Sequence, residues 1–75
     1  MNSFIANTKQ EMRGHLQTAV QRRIELHESQ SSAARAWGVP QSTINEIVKG
    51  KAKWSTEYLL GLLMRDGLTI KVELT

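Results

Sequence analysis

Apolar residues recur along this chain in three different patterns, and each predicts a different element. Met12, Leu16, Val20 and Ile24, joined by Ala19, keep the i, i+3/i+4 spacing of one helical face. Thr8-Lys9-Gln10-Glu11 before them fits a capping box, in which the Thr8 hydroxyl and the Glu11 carboxylate each meet a backbone donor. A first helix is therefore expected from there to about His27. Two shorter helical patterns follow, Ser31 to Trp37 and Gln41 to Lys49, on either side of Gly38-Val39-Pro40. From Thr56 to about Asp66 the pattern changes: Tyr58, Leu59, Leu60, Leu62, Leu63 and Met64 cover roughly 240° of a helix. That is more than one small body can bury, so a second partner is expected, most simply a twin subunit. Last, Leu68, Ile70, Val72 and Leu74 alternate with Thr69, Lys71 and Glu73, the period-two pattern of a half-buried strand.

A single strand leaves backbone groups unpaired along both edges. The nearest partner is the same strand of a second subunit, antiparallel about a two-fold axis; another protein's sheet is the competing partner. Leu60, Met64, Leu68, Ile70, Val72 and Leu74 are thus the expected dimer interface. Residues 1–7 show no periodicity beyond Phe4 and Ile5 and are expected to form an arm whose apolar pair packs on the body.

The two short helices carry the chemistry. Ala33 and Trp37 lie i, i+4 on one face, and Ala34 is small enough for a second helix to approach closely. Ser29 is the expected N-cap of the first. Gly38 ends it, because glycine takes the left-handed conformation without steric cost. Pro40, with φ preset and no N–H to orphan, suits the first position of the next helix. The outline is a helix-turn-helix. At about 100° per residue, Gln41, Asn45, Lys49, Ser42 and Glu46 fall within an arc of roughly 140°, with Ile44, Ile47 and Val48 opposite and Thr43 at the border. Any surface helix has a polar face, but a merely solvated one would carry Glu/Lys pairs. Gln and Asn pair bidentately with adenine, Ser suits either kind of base partner, Lys reaches guanine or phosphate, and a carboxylate accepts from cytosine.

Charge sharpens this picture. The formal net charge is only +3. Between Gln30 and Trp54, however, Arg35, Lys49, Lys51 and Lys53 face Glu46 alone, whereas the rest of the chain balances. A basic patch confined to the reading head is the electrostatic footprint expected for DNA. Arg13, Arg22 and Arg23 read as a solvated surface. His15 and His27 read as surface or helix-end residues, His27 favourably placed at a helix C-terminus when protonated. Trp54 is expected to staple against Leu59, ahead of an N-cap at Ser55.

The stretch SQSSAARAWGVPQSTINEIVKGK, Ser29 to Lys51, resembles the helix-turn-helix of the XRE and lambda-repressor-type DNA-binding proteins. With the following helix and final strand, from about Glu11 to Leu74, the chain is similar to HigA-type and HipB-type antitoxins, which are small homodimeric repressors. The resemblance implies base-reading roles for Gln41, Ser42, Asn45 and Glu46, and phosphate contacts at Gln30, Lys49 and Lys51. Ser31, Thr43 and Lys53 complete the expected phosphate contacts. Pro40 stands where many relatives have a Ser or Thr cap, and Trp37 where they have an aliphatic residue.

The 75 residues allow one domain, and a chain this short buries only about 60% of its unfolded surface, which favours oligomerisation. There is no cysteine, hence no disulfide or thiolate metal site, as suits a reducing cytosol. No apolar run is long enough for a membrane span or signal peptide, so a cytoplasmic location is expected. The expected fold is mainly α, a four- to five-helix lambda-repressor-like domain whose C-terminal β-strand pairs across a homodimer. The expected partner is double-stranded DNA and the expected role a repressor on a palindromic operator, with no cofactor and no metal. An antitoxin that neutralises a toxin and autoregulates, or a Cro-like phage switch repressor, is the alternative. No paired carboxylates, serine–histidine arrangement or phosphate-cradling loop suggests an enzyme.

Overall fold

A computed structural model describes residues 2–75 and shows the elements in the order β1 (Asn2–Ala6), α1 (Lys9–Glu25), α2 (Gln30–Trp37), α3 (Gln41–Val48), α4 (Thr56–Arg65) and β2 (Ile70–Leu74). Local chemistry explains the helix ends. Thr8, Ser29 and Ser55 each accept from a backbone N–H three residues on, at Glu11, Ser32 and Tyr58. The Thr8 cap is one half of the expected box; the Glu11 carboxylate turns instead to His15, 3.5 Å away. Gly38 stops α2 at φ 69°, and the Val39 N–H closes on the Ala34 carbonyl at 3.0 Å. Pro40 precedes α3 as its N-cap in extended geometry and does not start the helix; it has no side chain with which to cap.

The core is one cluster. Met12, Leu16, Val20 and Ile24 of α1 meet Ala33, Ala34 and Trp37 of α2, Ile44 and Ile47 of α3, and Leu59, Leu62 and Leu63 of α4. Two expectations are corrected here. The broad apolar surface of α4 is largely absorbed by the chain's own core: Tyr58 and Leu60 pack against it, and only Met64, 59% exposed, stands clear. The expected arm is a strand. Residues 2–6 pair in parallel with 70–74, Phe4 beside Val72 and Ala6 beside Leu74, which buries Ala6 and packs Phe4 on the core while Ile5 faces outward. Met1, the first residue of that expected arm, lies outside the described residues.

The final strand thus satisfies one edge inside its own chain. Its other edge has no strand partner among the described residues. Of the six residues expected at a dimer interface, Leu60, Leu68 and Ile70 pack on the chain's own core, and Met64, Val72 and Leu74 remain exposed.

Candidate nucleic-acid interface

Burial of Ile44 and Ile47, both fully inaccessible, fixes how α3 is turned. Its opposite side therefore faces outward: Gln41, Ser42 and Lys49 are exposed, Asn45, Glu46 and Thr43 half-buried. Val48, expected in the core, is 41% exposed. At 100° per residue it lies about 20° from Gln41, so it borders the polar row and adds an apolar group to it.

Long-range hydrogen bonds hold this helix from behind. Gln17, buried on α1, donates through Nε2 to the carbonyls of Lys51 (2.9 Å) and Ile47 (3.3 Å), while its Oε1 accepts from Arg13 at 2.6 Å. Gln21, one turn on, donates to the Ile47 carbonyl at 2.8 Å. Two glutamines thereby tie α1 to the last turn of α3 and to the loop that follows it. Their partners lie 26 to 34 residues away, and no local pattern in the sequence marks either glutamine.

A second brace draws in Arg23 and His27, which the sequence alone places on the surface or at a helix end. The Asp66 carboxylate, just past α4, collects three donors: Arg23 Nε on Oδ2 at 2.5 Å, and His27 Nε2 at 2.9 Å and Trp37 Nε1 at 3.1 Å on Oδ1. An ionised carboxylate only accepts, so the His27 ring donates here. Burial pushes the Asp66 carboxyl up, but the bonds from Arg23, His27 and Trp37 outweigh it and hold it below its ordinary value. His27 also meets Trp37 edge to face, ring centroids 5.5 Å apart. Arg65 donates to the Trp37 carbonyl at 2.7 Å. Arg23 and His27 are therefore structural groups that tie α1, the end of α2 and the end of α4 together. A buried tryptophan N–H needs an acceptor, and that was the clue available at Trp37.

At the front, Asn45 Nδ2 donates to Gln30 Oε1 at 3.3 Å, linking the two helices across the corner. Glu46 is clasped by both loop lysines, Lys53 Nζ at 2.9 Å and Lys51 Nζ at 3.2 Å. Hydrogen bonds from Lys53 and then Lys51 hold its carboxyl below the ordinary range. Lys49, at the end of α3, is exposed, and Ser31 in the first turn of α2 is half-buried. Trp54 packs against the core cluster that contains Leu59 and stacks on Tyr58 with centroids 5.4 Å apart, and Lys53 Nζ lies 5.0 Å from the Trp54 ring. Among the described residues no group of side chains is arranged to hold a metal ion, and no helix is long and apolar enough to cross a membrane.

This arrangement is a rigid two-helix corner with an outward hydrogen-bonding row and cations at its rim. The model of the CENP-B N-terminal DNA-binding domain family matches residues 18–57, from mid-α1 through the corner into α4. The match spans more than half of the chain, which belongs to that family. No curated protein and no solved structure matches the chain. The family and the XRE-type resemblance have the helix-turn-helix in common, and the chain is a helix-turn-helix DNA-binding domain.

Proposed function

We propose that this member of the CENP-B N-terminal DNA-binding domain family is a homodimeric repressor that lays α3 into the major groove of each half of a palindromic operator. The observation that carries the proposal is the orientation of α3: its two isoleucines are wholly buried, and Gln41, Ser42, Asn45 and Glu46 point away from the core together. Gln41 and Asn45 suit adenine and Ser42 suits either kind of base partner. Val48 offers an apolar contact for a thymine methyl group. Gln30, Ser31, Thr43, Lys49, Lys51 and Lys53 surround this row as phosphate contacts, which orient the domain without reading sequence.

The free edge of β2 supports the dimer. Antiparallel pairing about a two-fold axis at Val72 sets Lys71 opposite the partner subunit's Glu73, and Glu73 opposite the partner subunit's Lys71. Opposite charges at facing positions favour that register. Val72 and Leu74 also border a groove of about 340 Å³ lined by Lys9, Met12, Thr56 and Glu57, which a second chain would cover. The antitoxin reading fits less well, because residues 2–6, which as a loose arm could grip a toxin, are committed to β1.

The test is binding to the preferred duplex and to a scrambled one. Gln41→Ala is expected to weaken specific binding by about 1 to 3 kcal/mol, leaving scrambled-DNA affinity unchanged. A variant that loses the same amount on both duplexes would remove Gln41 from base reading.

A further inference from the structure

Glu46 is an acidic group on a face turned toward phosphates, where it costs affinity unless it does something specific. In the free protein both its oxygens are engaged: Lys53 Nζ is 2.9 Å from Oε1 and 3.0 Å from Oε2, and Lys51 Nζ is 3.2 Å from Oε2. The carboxylate side chain is 24% exposed, the lysines 56% and 58%. The Trp54 ring lies beneath Lys53 as well. Both loop cations are thus drawn back over α3, and one negative charge offsets part of their pull on DNA.

Resting on the reading of α3 as the base-contacting helix, we infer that Glu46 is a specificity-determining residue that gates Lys51 and Lys53. The carboxylate keeps the lysines on DNA that offers it no donor, and releases them to phosphates when a cytosine amino group takes their place. Guanine and thymine present acceptors to the major groove and repel a carboxylate; adenine's amino group sits beside the N7 acceptor. Cytosine presents an N4 donor with no acceptor on its own base edge. Moving an ammonium from carboxylate to phosphate exchanges one exposed ion pair for another, which is nearly neutral in free energy. The hydrogen bond to cytosine then tips the balance. One base pair would in this way set how many backbone contacts form.

The test uses the intact chain and the tightest duplex it recovers from random DNA, together with every single-base-pair variant of one half-site, each titrated at several salt concentrations. At one position, replacing a C·G pair should lower wild-type affinity about tenfold and flatten the plot of log K against log salt by about one to two units. Glu46→Gln should give the steep slope on every variant and lose the preference at that position. Lys51→Met with Lys53→Met should give the shallow slope throughout and keep the preference. Wild-type slopes that do not change with base pair, or a Glu46→Gln slope that still does, would overturn the gate while leaving DNA reading intact. A wild-type protein that enriches no duplex would instead remove the DNA-reading proposal, and the gate with it.

Discussion

Asp66→Ala will destabilise the domain by about 3 kcal/mol, lowering its melting temperature by roughly 15 °C. The change leaves Arg23, His27 and the buried Trp37 N–H without their shared acceptor at a site only partly open to water, so their desolvation is no longer offset. Folded proteins of this length hold only about 4 to 11 kcal/mol in reserve, so the loss is a large share. Acid provides an independent check. The folded Asp66 carboxyl lies below its reference value of 3.8, so its contribution is present above that pH and disappears as pH falls through the folded value. Urea titrations at pH 7 and near pH 3 should show the gap between wild type and variant narrowing at the lower pH. An equal gap at both would mean that the carboxylate's charge does not carry the brace.

If β2 pairs with its own copy as proposed, Val72→Glu will split the dimer and reduce operator affinity about a hundredfold or more. The substituted carboxylates would face each other across the two-fold axis, and like charges at facing strand positions repel. Loss of the second subunit removes the effective concentration that makes two half-site contacts one event. Val72 is already 40% exposed, so the monomer fold should persist, which circular dichroism will show. Charge exchange gives the sharper readout of register. Lys71→Glu alone places two acids opposite each other in each pair and should weaken assembly, and Glu73→Lys added to it should restore assembly. A wild-type chain that stays monomeric in sedimentation at concentrations saturating its DNA, or a Val72→Glu variant that binds undiminished, would contradict pairing through β2.

What the sequence disclosed divides by distance along the chain. Thr8, Ser29, Ser55 and Gly38 were legible because a cap or a left-handed stop acts within about one helical turn. The facing of Gln41, Ser42, Asn45 and Glu46 followed from the buried pair Ile44 and Ile47. Val48 was misplaced because the apolar label outweighed its angle, which lies beside Gln41. The braces at Gln17, Gln21 and Asp66 span 26 to 43 residues, and no local pattern encodes such pairings. β1 escaped notice since Ile5 points outward from a strand only five residues long, breaking the alternation that would have revealed it. With β1 hidden, the final strand looked in need of partners on two edges, and α4 looked richer in spare apolar surface than it is.

The most direct measurement is enrichment of sequences from a pool of random duplexes by the intact protein. It is predicted to return two inverted half-sites with centres about 34 Å apart, each losing its adenine preference when Gln41 and Asn45 are replaced by alanine. Recovery of an unenriched pool, or of the same site by the doubly substituted protein, would contradict the claim that the outward row of α3 reads DNA.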